Sequence, residues 1–297
     1  MSVRNLTGPS IRVDGLRRRR AVNRFMEGLA WLAAAVAVGF LVLIVWSVAR
    51  RGAGALNLDL LTKTPPSGFL ASGKQGLANA FAGTLVIVGL ATLMALPAGI
   101  LVAVYLVEFA PGSVRTFVTL ALDVLNGVPA IVIGIFVYGL FVLGHGQSGL
   151  AAAFALACLM LPLVARATME VLALVPNSLR EASLGLGVPR WRTTLSIVLP
   201  QTIGGVVTAT VLAVARVAGE TAPLLFTSSI VGTQLHWNPH HSLQTVPVAI
   251  FELSESADPA DHARAWAAAL VLMLFILIAG LGARWLATRS RAKMLAR

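Results

Sequence analysis

Apolar residues in this 297-residue chain do not alternate with polar ones; they come in long blocks. A helix of roughly 20 apolar residues is enough to cross ~30 Å of hydrocarbon. Six such blocks run over approximately 28–49, 82–106, 117–143, 149–165, 203–227 and 266–287. The pattern predicts an all-α membrane protein of about six transmembrane helices. The first block follows "LRRRR" and is longer than the ~7–15 residues of a signal-peptide core, so it reads as a retained signal-anchor span. Some blocks are interrupted, by Pro97 and Gly99 in the second and by Gly127, Pro129 and Gly134 in the third. These are either ordinary membrane-helix residues or breaks whose freed backbone groups are satisfied by neighbouring helices or a cavity. Residues 50–77, with Pro65-Pro66 and several glycines, predict a loop.

Composition supports the membrane class. The chain is 57% hydrophobic and 12% charged, against roughly 25% charged for soluble domains, and its mean hydropathy is +0.84. The net charge of +11 raises the question of nucleic acid. There is no basic face with interleaved aromatics, so nucleic acid is not expected as a partner. The basic residues instead cluster between and beyond the blocks. Arg4, Arg12, Arg17 to Arg20 and Arg24 precede the first; Arg166, Arg180, Arg190 and Arg192 precede the fifth; Arg284, Arg289, Arg291, Lys293 and Arg297 close the chain. An even number of spans puts all three groups on one side, which the positive-inside rule makes cytoplasmic. The Arg17 to Arg20 run then reads as a topology anchor in contact with membrane lipid. The opposite side holds Arg50, Arg51, Lys63, Lys74 and Arg264, with an acidic last loop of Glu252, Glu255, Asp258 and Asp261. The expected layout is a basic cytoplasmic tail (1–27), a first span with an extracytoplasmic segment (28–77), a main transmembrane domain (78–288) and a second cytoplasmic tail (289–297). Cys158 is the sole cysteine, so no intrachain disulfide can form.

The most informative stretch is "SLREASLGLGVPRWRTTLSIVLP", residues 178–200. Ser178 and Glu181 have capping-box spacing, so a short helix should begin there. Gly187 is placed to end it with a left-handed cap. Pro189 can open a second helix, and Pro200 should stop it. Trp191, Leu195, Val198 and Leu199 then share one face. The physics allows two readings: a helical hairpin lying on the membrane surface, or a rigid knob that docks into a groove on a partner.

These residues resemble the coupling motif of ABC importer permeases: Glu181-Ala182-Ser183, then Gly187, Ile197 and Leu199-Pro200, at the family's spacing, with Ser183 in place of its second Ala. The resemblance implies a type I importer permease fold with both termini cytoplasmic. It also implies that this loop docks into a cleft on a cytoplasmic ATPase, with Arg180 a candidate for docking or signalling. One other stretch, "GFLASGKQG", puts Gly68, Gly73 and Lys74 at Walker A spacing. Gln75 stands where Ser or Thr should ligate Mg²⁺, and Pro65, Pro66 and Ser67 precede it instead of a strand. A P-loop is therefore not expected. The chain is expected to bind no cofactor and to be no enzyme itself, with ATP and Mg used by a separate ATPase.

The fifth block carries Arg216 and Glu220. Insertion scales assign about 2.5–3.5 kcal/mol to an Arg or Asp at the centre of a span. At 1.5 Å per residue, Arg216 lies roughly 20 Å from the cytoplasmic end of the block. On one helix the two side chains would share a face. They form either a buried ion pair that locks two helices or an anion site on a translocation path. The planar guanidinium pairs two oxygens of an oxyanion, which Lys cannot match. Glu220 either orients Arg216 or selects an anion that carries a proton to donate, which hydrogen phosphate does and sulfate does not. Here too there is a resemblance. Arg216, then Gly219 to Phe226 ("GETAPLLF"), are similar to the A-type permease subunits of phosphate-specific ABC importers. So are "DVLNGVPAIVIGIFVYGLFVL" from Asp123 and "LVPNSLREASLGLG" from Leu174, although Asn126 and Ala130 stand where that family has Ser. The likeness covers roughly 80–290. It implies a C-type permease as partner, a dimeric cytoplasmic ATPase, and a lipid-anchored or periplasmic phosphate-binding protein, in a bacterial cytoplasmic (inner) membrane. Transport of another oxyanion, such as sulfate or molybdate, stays open, as less favoured does a carrier driven by an ion gradient. The absence of an inverted repeat weighs against the carrier.

Smaller signals have two readings each. His236, His240 and His241 could hold a metal, but a solvated loop is the expectation because no supporting ligand stands at metal-site spacing. Asp123 and Asn126 either line a path or cap a helix break.

Overall fold

In the computed structural model the apolar blocks are helices, and residues 14–65, 76–228, 232 and 234–295 are described. The Walker-like residues Gly68, Gly73 and Lys74, and Arg4, Arg12 and Arg297 of the tails, lie outside them. The order is α1 (Asp14–Gly52), a short 3₁₀ turn (Ala53–Ala55), α2 (Leu58–Thr62), α3 (Ala78–Val104), α4 (Gly112–Gly127), α5 (Ala130–Val137), α6 (Gly149–Ala173), α7 (Asn177–Gly185), α8 (Arg190–Thr193), α9 (Leu199–Val217), α10 (Leu224–Thr227), α11 (Val246–Ser254) and α12 (Pro259–Leu295). No strand occurs among the described residues. The chain divides into two units at Arg50–Arg51. The first holds most of α1, and the second carries everything described below.

Among the described residues five helical stretches are long and apolar enough to cross a membrane: 18–55, 78–109, 149–173, 190–217 and 259–282. A sixth exists only if α4 and α5, with its extension to Val142, count together, and these are bent by 96°. The third apolar block is therefore not a straight helix; it is bent sharply in the middle, the shape of a broken span or of a re-entrant loop. The cause is local. Pro129 pushes the preceding residue out of the helical region, and Val128 is extended at φ −66°, ψ 128°. Pro97, by contrast, sits inside an unbroken α3.

The core of the second unit is the seam between α3 and α6. Ile87, Ala91 and Ala95 face Ala152, Leu156, Met160 and Val164, all buried, and Ala213 and Val217 of α9 close the cluster. Small residues at helical spacing let the backbones approach closely, which is how membrane helices gain packing energy without a hydrophobic effect between them. The Thr84 hydroxyl donates to Ala80 O and accepts from Val246 N, both at 2.8 Å, and so pins the start of α11 to α3.

Among the described residues three π turns punctuate the helical stretches: Tyr105–Phe109, Tyr138–Val142 and Thr194–Val198. The third corrects one expectation. Pro200 does not stop a helix. It stands in the first turn of α9, and the helical path runs on from Arg190 to Val217. A proline in a helix removes an N–H and crowds the carbonyl four residues back. The wider turn just before Pro200 accommodates that crowding, with Leu199 N–H bonded to Thr194 O.

Candidate functional site

Two places gather the residues singled out in the sequence. The first is the corner at α7 and α8. Helix α7 starts at Asn177 after Pro176, two residues earlier than capping by Ser178 required, and no side chain caps it. Pro176 has the preset φ of a residue leading into a helix, −59°, and leaves no N–H to cap. The Ser178–Glu181 capping box is therefore absent. The far end of α7 is as expected. Gly187 has φ +79°. Its N–H bonds to Leu184 O at 2.9 Å, and Val188 N–H bonds to Ser183 O at 3.2 Å. That is the paired closure of a Schellman cap, which needs a left-handed residue at this position.

Ser183, the departure from the coupling motif, is buried, and its hydroxyl lies 2.9 Å from that of Thr193 on α8. Thr193 also donates to Pro189 O at 3.3 Å. Glu181, Ala182 and Leu186 are exposed, Leu186 by 84%. Trp191 and Leu195 are exposed, whereas Val198 is fully buried and Ile197, Leu199 and Pro200 are half-buried, so the expected single apolar face is split. The inner side of α7 is held by Arg180. Its Nε and Nη2 bond to the Glu108 carboxylate at 2.8–3.3 Å. Its Nη1 bonds to Val175 O at 2.6 Å and Asn177 Oδ1 at 3.2 Å, and Nη2 also to Leu172 O at 3.0 Å. Glu108 and Arg180 line a pocket of about 370 Å³ together with Arg115, Asn177, Arg190 and Thr193. Glu108 escaped notice in the sequence. One signal was present: it is the only acidic residue between Asp59 and Asp123.

The second place is the end of α9. The fifth block does not continue as a helix to 227. Helix α9 ends at Val217 and tightens into 3₁₀-type turns, Gly219 N–H to Arg216 O and Glu220 N–H to Val217 O, each 3.1 Å. A turn through Pro223 leads to the one-turn helix α10. Arg216 is thus in the last turn of α9, and Glu220 lies beyond it, so the shared helix face does not exist. Among the described residues neither side chain makes a hydrogen bond or an ion pair. Arg216 is exposed and Glu220 half-buried. The open carbonyls at the C-terminus of α9 favour a cation there, which compensates Arg216 in part while leaving its fork available. The break in the third span meets this one. A Cβ on Gly134 of α5 would lie 2.6 Å from Pro223 Cα, so only glycine allows the approach.

The remaining candidates are apart from both places. Arg166 lies within α6, which extends past the predicted 165, and pairs with Asp123 at 3.6 Å and Glu170 at 3.9 Å. Asn126 makes no capping bond at the α4–α5 break. The rings of His236 and His241 stack with centroids 5.2 Å apart. Among the described residues no three His, Cys, Asp or Glu are grouped to hold a metal. Gln244 bonds to Asn79 at 2.9 Å and donates to Glu252 at 2.7 Å. Burial pushes the Glu252 carboxyl above its ordinary range, and the Gln244 hydrogen bond offsets part of that.

Residues 95–292 match the family described as binding-protein-dependent transport system inner membrane component. The chain belongs to that family. It is 39% identical over 287 residues to the phosphate transport system permease protein PstA 1 of Mycobacterium tuberculosis, which spans 92% of each chain. It is also 39% identical over 262 residues to PstA of Haemophilus influenzae, covering 87% of this chain and 91% of that one. Solved structures share the fold at low identity. The inward-facing MetNI methionine ABC transporter superposes with a TM-score of 0.61 at 17% identity, over 72% of this chain and 95% of that one. A bacterial ABC transporter that imports alginate gives 0.59 at 16%, over 92% and 99%. The chain is therefore a multi-pass permease component of the cytoplasmic membrane with the fold of ABC importer permeases.

Proposed function

We propose that this permease is the A-type membrane subunit of an ATP-driven importer for inorganic phosphate. The observation that carries the reading is its 39% identity, over 92% of both chains, to a phosphate permease. The α7–α8 corner supports coupling to a separate ATPase. It presents Glu181, Ala182 and Leu186 outward on a helix whose inner side is bonded down. Its partners are a C-type permease, a dimeric ATPase that uses ATP and Mg, an extracytoplasmic phosphate-binding protein and membrane lipid. Both tails, Arg180 and the corner face the cytoplasm, where the basic residues collect. Residues 1–27 and 289–297 are the cytoplasmic tails, 28–77 the first span with its outer segment, and 78–288 the permease domain.

Arg216 is the anion-binding group of the path. Its fork is unpaired and stands at a helix terminus, beside the break where Gly134 of α5 packs on Pro223. Glu220 is close in sequence but not bonded to it, so it acts on the anion's proton or on Arg216 only when substrate or the partner subunit is in place. The test is phosphate-stimulated ATP hydrolysis by whatever co-purifies with a tagged copy, comparing wild type with Glu181→Lys. Wild type should bring down an ATPase that responds to loaded binding protein, and Glu181→Lys should not. A chain that purifies alone and moves phosphate in vesicles without ATP is instead an ion-gradient carrier.

A further inference from the structure

We propose that Glu108 and Arg180 are a positioning pair that makes the coupling helix α7 and the end of α3 one moving part, a role that rests on the coupling reading above. Arg180 has five N–H donors, and all are used. They reach three segments of the chain: the Glu108 carboxylate at the end of the second span, Leu172 O in the last turn of α6, and Val175 O and Asn177 Oδ1 at the entry to α7. The pair is largely withdrawn from water, with side chains 17% and 10% exposed. A forked, bidentate contact of this kind fixes direction as well as distance.

The faces of α7 separate the tasks. Arg180 and Ser183, three apart, point inward and are bonded. Glu181, Ala182 and Leu186 are exposed, free to take a push from a partner. Ser183 passes that push only to the next helix, α8. Arg180 is the route by which it reaches the second and fourth spans directly. Glu108 sits in the π turn Tyr105–Phe109, a rare local form that is frequent at functional sites.

The experiment uses the assembled complex with its ATPase in proteoliposomes and reads phosphate moved per ATP hydrolysed. Glu108→Ala should still assemble, while phosphate per ATP falls at least tenfold; Glu108→Gln, which keeps an acceptor without the charge, should fall in between. A second reading takes spin labels at Ser178 and Leu101 in a Cys158→Ala background. The distance between them should stay narrow in wild type with and without ATP, and broaden in Glu108→Ala. An unchanged ratio and a narrow distance in Glu108→Ala overturn the pair and leave the coupling reading intact. Failure of both Glu108 variants to assemble, where wild type does, makes the contact a folding element only and also overturns it. A wild type that brings down no ATPase removes the coupling reading itself.

Discussion

The corner at α7 and the break after α9 both place an arginine near a glutamate, and they treat it in opposite ways. At the corner every donor of Arg180 has a partner, and the glycine cap, the Ser183–Thr193 contact and the ion pair close on one another. At the break Arg216 and Glu220 have no partner among the described residues, and the backbone leaves the helix between them. A guanidinium with all five donors engaged can carry load but cannot take a ligand. One with none engaged can take a ligand but adds little to the fold. Charge in a membrane protein thus serves geometry or traffic according to whether its hydrogen bonds are already made.

The largest effect expected from this contrast is at Arg216. Arg216→Gln should lower phosphate uptake by complex-bearing vesicles at least 100-fold, with assembly unchanged. Arg216→Lys, which keeps the charge but loses the fork, should lower it about tenfold or more. Uptake within twofold of wild type for both would erase the distinction between the two arginines. Next is the meeting of the two breaks. Gly134→Val forces a side chain against the Pro223 backbone, an overpacking expected to cost about 1–3 kcal/mol, visible as a lower unfolding temperature and reduced uptake. At the corner, Gly187→Ala puts a Cβ at φ +79°, for roughly 1–2 kcal/mol. Its mark should be weakened ATPase co-purification. Last is Ser183→Ala, which removes one buried hydroxyl contact and returns the motif to alanine. Thr193 keeps its bond to Pro189 O, so the loss should be about 0.5–1.5 kcal/mol in thermal unfolding, with transport retained.

The corner was largely legible in the sequence because its geometry is written locally. Gly187 announces a left-handed cap, and the spacing from Glu181 to Pro200 is a family pattern. The start of α7 and the effect of Pro200 were misjudged because a preceding proline and a π turn override the simple capping and proline rules. The break at Arg216 was misplaced for a different reason. Apolar residues resume from Ala222 to Phe226, and hydropathy alone does not separate a helix from a turn followed by a short helix. Glu108 was missed because its partner is 72 residues away. No local pattern encodes such a pair; only the approach of α3 to α6 and α7 creates it.

The unbroken path from Arg190 to Val217 sets a rule for how this gene can change. An α-helix turns about 100° per residue. Inserting or deleting one residue between the corner and Arg216 would leave both ends chemically intact, yet swing the guanidinium about a quarter of the way around its axis. A change in residue number along that stretch should therefore cost uptake where a substitution on its exposed side does not, and the loops on either side are where insertions should be tolerated.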